Sequence, residues 1–260
     1  MRPTTIEDML KHTVQLNGLL IPIKSLEQTL ALYTHPLVVW NHNETYSCSL
    51  IGSCIGIHYR ERYLLLCTRH QLKTLEGRSY EDVGLLDKDG KSFCSAGGIR
   101  YYNNDINDEV LNDLAVFDFT EPCKDRTQMK ERFFNLNGLP PDVPSNQVVG
   151  LVVSGYPTDK QDYGMNEETR HLGFAQASIT CSIASDENQL EDSTVLKLNV
   201  LGSLSLNPDG MSGGAAFTLQ LVNGTAHAHL AGMVVMAGSN NFYILKIGCI
   251  LNSINSWLKT

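Results

Sequence analysis

From residue 36 onward, short apolar runs alternate with turns that are polar or contain glycine. The runs include PLVVW (36–40), RYLLLCT (62–68), DLAVFDF (113–119) and NFYILKI (241–247), and they are rich in the residues that β-strands favour. Few helical periods separate them, unlike the regular alternation that produces a parallel α/β sheet. The pattern therefore predicts an all-β sandwich or barrel.

Both ends of the chain show helical patterns instead. Thr4-x-x-Glu7 and Ser25-x-x-Gln28 resemble capping boxes, so residues 1–35 are predicted to form a helical extension. The terminal stretch CILNSINSWLKT carries its apolar side chains at helical spacing, which predicts a closing helix.

The segment 126–147 is polar and then proline-rich, and it predicts a linker between two β-rich halves. The halves would span 36–125 and 148–260. No repeat of fixed period and no low-complexity tract accompanies them.

Charge, apolar run length and cysteine content limit the partners and the cellular location that we expect. The 260 residues carry a formal net charge of −8, which argues against nucleic acid as a partner, and no apolar run reaches the ~20 residues of a membrane helix. The N-terminus lacks the apolar core of a signal peptide. With seven cysteines, an odd count, and no C-x-x-C pair, we expect reduced, mostly buried thiols in a cytoplasmic protein, with no metal and no cofactor.

Two further patterns resemble metal sites. His227 and His229 would share one face of a strand, but two imidazoles without a third ligand are typical of ordinary strand residues. Asp87-x-Asp89-Gly90 resembles the start of a calcium loop, but no acidic residue closes it, so a turn is predicted.

The stretch GMSGG places Ser212 among glycines. A free serine hydroxyl is a poor nucleophile, and it needs a base to take its proton and preorganised donors for the charge that develops on the substrate oxygen. Glycines permit positive φ, which lets successive backbone N–H groups face one point. Ser212 is therefore a candidate nucleophile. A plain Gly-Ser surface loop is the alternative.

Two residues upstream are candidates for the base and for the carboxylate that orients it. His70 follows the apolar run LLLCT, and Asp113 opens DLAVFDF, so both stand at strand edges where a rigid scaffold can hold a reactive group. The alternatives are a structural histidine at a strand end and a turn-initiating aspartate.

The order CTRH, DLAV and GMSGG resembles that of the chymotrypsin-like serine peptidases, with intervals of 43 (113 − 70) and 99 (212 − 113) residues. The resemblance covers residues 36–260 and implies two six-stranded antiparallel β-barrels closed by a C-terminal helix. It also implies that Ser212 attacks, that His70 is the general base oriented by Asp113, and that the N–H groups of Gly210 and Ser212 form the oxyanion hole.

The chain departs from the trypsin pattern before the nucleophile. Met211 stands where trypsin has an aspartate that pairs with a newly freed N-terminus, and a thioether cannot form that ion pair. The resemblance therefore implies a bacterial-type member without this activation step. Something else must order the oxyanion turn, such as the N-terminal helices or a partner.

Alignment with the same family indicates the substrate pocket. Leu206 would lie at its base, and Val235, Ala237 and Asn241 along its walls. Leu206, Val235 and Ala237 offer no charge partner and predict an apolar or small cavity, with Asn241 as a polar group on its wall.

The leading interpretation is a serine endopeptidase that acts on protein or peptide substrates, with a regulatory protein as a possible partner. The alternative is a catalytically silent interaction module built on the same fold.

Overall fold

The computed structural model describes residues 12–43, 45–73, 75, 77–87, 90, 92–102, 109–136, 148–165, 172–185 and 194–258. The molecule is mostly β, with 49% strand and 21% helix, which confirms the predicted class.

The chain begins with a hairpin where the capping boxes predicted helix. β1 (Thr13–Leu16) and β2 (Leu19–Pro22) are joined by Asn17 and Gly18, whose φ values are 50° and 79°. Two consecutive left-handed residues of the type Asn-Gly produce the tight turn that matches strand twist. The helical extension predicted for 1–35 is therefore wrong over residues 13–22.

One helix of the N-terminal region is present. It is α1 (Leu26–Ala31), which begins directly after Ser25 at the position that the second capping box indicates, but the Ser25 side chain makes no capping hydrogen bond. The first box, at Thr4, lies outside the described residues.

The first β-rich half is a curled sheet. Its strands are β3 (Thr34–Trp40), β4 (Cys48–Tyr59), β5 (Arg62–Thr68), β6 (Val83–Leu86), β7 (Phe93–Ser95), β8 (Gly98–Tyr101), β9 (Leu114–Asp118) and β10 (Phe134–Asn135). The spatial order is β7-β6-β3-β4-β5-β9-β8, with β10 paired to β4. Within the described ranges no pairing joins β7 to β8, so this half forms a half-barrel rather than the closed barrel that the resemblance implies.

In the described connections between these strands there are four helices of one turn each. They are α2 (Arg69–Leu72), α3 (Glu109–Asn112), α4 (Thr120–Cys123) and α5 (Thr127–Lys130). Short 3₁₀ turns occupy Ile23–Ser25, Tyr80–Asp82 and Thr158–Lys160.

The predicted linker 126–147 is structured in its first part. It contains α5 and then β10, whose Phe134 is fully buried against the core between the two halves. A buried aromatic side chain fixes this segment to the body of the protein. Residues 137–147 lie outside the described part.

The second half is a closed six-stranded antiparallel barrel, as predicted. Its strands are β11 (Val148–Gly155), β14 (Ala177–Ile183), β15 (Val195–Val200), β16 (Ala215–Val222), β17 (Thr225–Ala237) and β18 (Asn241–Lys246). The order β16-β11-β14-β15-β18-β17 closes through pairing of β16 with β17. β12 (Asp162–Met165) and β13 (Leu172–Gly173) form a separate ribbon, and β1 adds in parallel to β17.

The closing helix is α6 (Ile247–Trp257), and its apolar face completes a core that both halves share. Each half also has a core of its own. The core of the first half contains Phe117 and Phe119, and the core of the second contains Ala216 and Phe242. The shared core fixes the halves against each other, which is what a site built from both of them requires.

All seven cysteines are free thiols, and six are buried. Among the described helices, none has the length and apolar character needed to cross a membrane.

Candidate functional site

His70 and Asp113 meet at the edge of the first half. Thr68 ends β5 in extended conformation, and α2 begins at the next residue, which places His70 in its first turn. Asp113 follows α3 and precedes β9, the strand that pairs with β5. Adjacent strands thus bring together two residues that are 43 positions apart in sequence.

Both carboxylate oxygens of Asp113 bind His70. The imidazole Nδ1 lies 2.6 Å from Oδ2, and the backbone N–H of His70 donates to Oδ1 at 2.8 Å. The His70 side chain is 43% exposed and that of Asp113 23%. A carboxylate at Nδ1 holds the proton there, which leaves Nε2 as the free lone pair that a general base requires.

Ser212 lies in a turn whose backbone conformation is fixed from several directions. Met211 N–H donates to the Pro208 carbonyl, and Gly213 N–H donates to the Val234 carbonyl on β17. Gly210 and Gly213 have φ values of +89° and +81°, which L side chains rarely adopt. The glycines are required here by conformation, as the sequence predicted.

Two peptide planes of this turn are oriented through their carbonyls. The Asp209 oxygen accepts from the Thr158 backbone N–H at 2.7 Å and from Thr158 Oγ1 at 3.0 Å. The Met211 oxygen accepts from Gly214 N–H at 2.9 Å. In a trans peptide, the carbonyl and the following N–H point in opposite directions.

The N–H groups of Gly210 and Ser212 therefore point away from those bonds. Within the described residues, neither N–H donates a hydrogen bond to a protein atom. Two unpaired donors on one rigid turn are what the binding of a developing oxyanion requires.

Met211 anchors the turn to the barrel. Its side chain is fully buried in the barrel core, and a Cβ added to Gly155 would lie 2.8 Å from its sulfur. An apolar side chain packed to this density fixes the turn by van der Waals contact. The sequence predicted only that Met211 forms no ion pair.

Gln71 links the helical turn that carries His70 to the backbone of Ser212. The Gln71 Nε2 donates to the Ser212 carbonyl at 2.7 Å, so the residue after the imidazole contacts the backbone of the candidate nucleophile. Thr68 Oγ1 lies 3.3 Å from His70 Nε2, and no hydrogen bond among the described residues joins His70 Nε2 to Ser212 Oγ. Such bonds are often long in unliganded sites and shorten when substrate binds.

The four residues expected to line a pocket divide into two environments. Leu206 and Ala237 are partly buried against the barrel core, and Asn241 is half-buried at the start of β18. Val235 packs instead in the core shared by both halves. An irregularity in the β17–β18 pairing between Val234 and Met236 changes the alternation of side chains at this point.

Sequence reasoning missed three residues that contact the turn: Ser53, Gln71 and Thr158. One signal was available, because Thr68-x-x-Gln71 has capping-box spacing and Gln71 Oε1 does accept from the Thr68 N–H at 3.0 Å. Ser53 and Thr158 stand in ordinary strand and turn contexts, and no sequence pattern distinguishes them.

The two patterns that resemble metal sites, His227 with His229 and Asp87-x-Asp89-Gly90, do not form a set of metal ligands among the described residues. His227 and His229 stack on β17 with centroids 5.9 Å apart, and no group of three metal-ligating residues occurs in the described chain. Asp87 follows β6 and its N–H donates to the Ser92 carbonyl, whereas Asp89 lies outside the description.

No protein-family model matches this chain, and no curated protein matches it in sequence.

Proposed function

We propose that this protein is a serine endopeptidase of the chymotrypsin-like kind, with Ser212 as nucleophile, His70 as base and Asp113 as the orienting carboxylate. One observation carries the proposal. No described residue accepts a hydrogen bond from the N–H groups of Gly210 and Ser212, and the Ser212 turn contacts the residue next to a histidine whose Nδ1 is bound by a carboxylate.

The reaction would proceed in two acyl-transfer steps. Ser212 Oγ bonds to the carbonyl carbon of the scissile peptide while His70 Nε2 takes the hydroxyl proton. The oxyanion accepts from the N–H groups of Gly210 and Ser212. His70 returns the proton to the departing amine, and water, deprotonated by the same imidazole, releases the acyl group from Ser212.

Substrates would be proteins or peptides with an apolar residue before the cleaved bond. Leu206 and Ala237 offer apolar surface, and a charged head group placed against them would lose its hydration without gaining a partner.

The test is covalent labelling of the purified protein with a fluorophosphonate, followed by mapping of the adduct. We expect labelling at Ser212 and its loss in Ser212→Ala. Ser203→Ala, an exposed serine on the segment that leads to the same turn, is the matched control and should label normally. An adduct at a different serine, or unchanged labelling of Ser212→Ala, would contradict the assignment. A wild-type protein that does not label would favour the silent interaction module.

A further inference from the structure

The Gln71 carboxamide is a buried polar group with every hydrogen-bonding position used. Gln71 is 5% exposed. Its Nε2 donates to the carbonyls of Ser212 (2.7 Å) and Ser53 (3.2 Å), and its Oε1 accepts from Thr68 N–H (3.0 Å) and Thr68 Oγ1 (2.9 Å). A primary amide has two donor hydrogens and two acceptor lone pairs, so this side chain is fully satisfied.

The backbone around the carboxamide is shaped to admit it. A Cβ at Gly52 would lie 2.1 Å from Gln71 Nε2, and a Cβ at Gly213 would lie 3.0 Å from Oε1 and 2.0 Å from the Ser53 carbonyl oxygen. Both glycines also have positive φ, 151° and 81°. One of these glycines belongs to each half of the molecule, so both halves leave room for the same amide group.

Ser53 supplies further bonds from the same side. Its N–H donates to the Ser212 carbonyl at 3.3 Å, and its Oγ donates to the Gly210 carbonyl at 2.7 Å while accepting from Tyr156 N–H at 2.8 Å. The two carbonyls of the turn that face the first half are thus held by residues of β4 and α2. We call Gln71, Ser53 and the bonds they make to this turn the inter-half bridge.

We propose that Gln71 is a positioning residue, which through the inter-half bridge fixes Ser212 relative to His70. This inference rests on the proposed function. Gln71 follows His70 in the same helical turn, so displacement of its amide shifts the imidazole and the Ser212 backbone relative to each other. Misplacement of reacting groups by about 1 Å can cost on the order of 100-fold in rate.

The experiment compares Gln71→Leu with Gln220→Leu. Gln220 is a matched control because it is a glutamine of similar burial, 4% exposed, on β16, and its Nε2 bonds to Thr218 Oγ1 in the barrel rather than to the turn. We expect Gln71→Leu to slow fluorophosphonate labelling by about 10- to 100-fold, and to lower kcat with little change in KM. The pH at which Gln71→Leu reaches half of its maximal labelling rate should equal that of the wild type, because this substitution does not touch the bond between His70 and Asp113.

A structural readout separates positioning from activity. Hydrogen exchange of the peptide spanning 207–217 should accelerate in Gln71→Leu and remain at the wild-type rate in Gln220→Leu, because the bonds made by the N–H groups of Gly213 and Gly214 protect this turn. If Gln71→Leu fails to fold, Ser53→Ala tests the same bridge. Its control is Ser253→Ala, a buried serine whose Oγ donates to the Cys249 carbonyl on the closing helix.

The outcomes are distinguishable. Labelling and exchange that match Gln220→Leu would overturn the positioning role while leaving the peptidase proposal standing. A wild-type protein that does not label would overturn the proposed function, and the exchange comparison would still decide whether the bridge orders the turn.

Discussion

The two halves of the candidate site are held by different kinds of contact. The Asp113 carboxylate binds both the imidazole and the backbone N–H of His70; both side chains are partly open to solvent and belong to the half whose sheet stays open. The Ser212 turn is held through backbone carbonyls and glycines, by buried partners, directly before β16 of the closed barrel. An isosteric change of the carboxylate can keep its bond to the His70 backbone, whereas a packed turn cannot change without displacing its neighbours. Substitution in the His70–Asp113 pair should therefore lower activity with little change in stability. Substitution in the Ser212 turn should lower the free energy of unfolding.

Asp113→Asn should produce the largest change in activity. The amide can leave the imidazole in the wrong tautomer, and the corresponding substitution in Ser-His-Asp peptidases lowers kcat by about 10⁴-fold. We expect a loss of that order with a nearly unchanged free energy of unfolding. The control is Asp118→Asn. In the wild type the Asp118 carboxylate pairs with Arg62 at 2.8 Å on the surface. Equal activity of the two variants would remove Asp113 from the site.

Gly213→Ala should show the opposite profile, with a large structural effect. Both Gly213 and Gly224 have φ near +80°, so alanine at either position is expected to cost about 1–2 kcal/mol of stability from backbone strain. At Gly213 the new Cβ would also meet the Ser53 carbonyl, whereas at Gly224 nothing lies within 4 Å. Overpacking should add about 1–3 kcal/mol at Gly213 alone.

Urea denaturation of the two alanine variants measures this difference in the free energy of unfolding. The Gly213 variant should also lose labelling of Ser212. Equal destabilisation by the two substitutions would show that the turn is not packed against β4 as described.

Acid should weaken the half that carries His70. His35 on β3 is 3% exposed, its Nε2 lies 2.9 Å from the Arg132 carbonyl, and its Nδ1 lies 3.3 Å from Arg132 Nη2. Burial, and then the charge of Arg132, hold the pKa of His35 well below its usual value. The unfolded chain therefore binds a proton more readily than the folded one. This contribution to stability is full above pH ~6.5 and is lost as pH falls from there through the folded pKa.

Denaturation midpoints measured between pH 8 and pH 5 test this contribution. The wild-type free energy of unfolding should fall with a slope of up to about 1.4 kcal/mol per pH unit from this group, and His35→Gln should flatten the curve. Parallel curves for wild type and His35→Gln would contradict the effect of burial.

The strands and the glycine turn could be predicted from the sequence because their causes lie within a few neighbouring residues. Alternating apolar runs predicted the strands, and the glycine turn predicted the positive φ values at Gly210 and Gly213. The N-terminal hairpin is also encoded locally, by the turn residues Asn17-Gly18. The prediction made from the capping boxes did not take this turn signal into account. Helix start signals are weak evidence when a two-residue turn of this chemistry stands between short apolar segments.

By itself, the sequence determined the β class, the closing helix and the order His70, Asp113, Ser212. Tertiary structure decided what lies around them: that the first sheet stays open, that Met211 enters the barrel core, and that Gln71 and Ser53 hold the Ser212 turn. Gln71 and Ser212 are 141 positions apart, and Ser53 and Gly210 are 157 apart. The physical reason is that secondary structure follows periodicities of a few residues, whereas these contacts exist only once two separately formed halves are packed together.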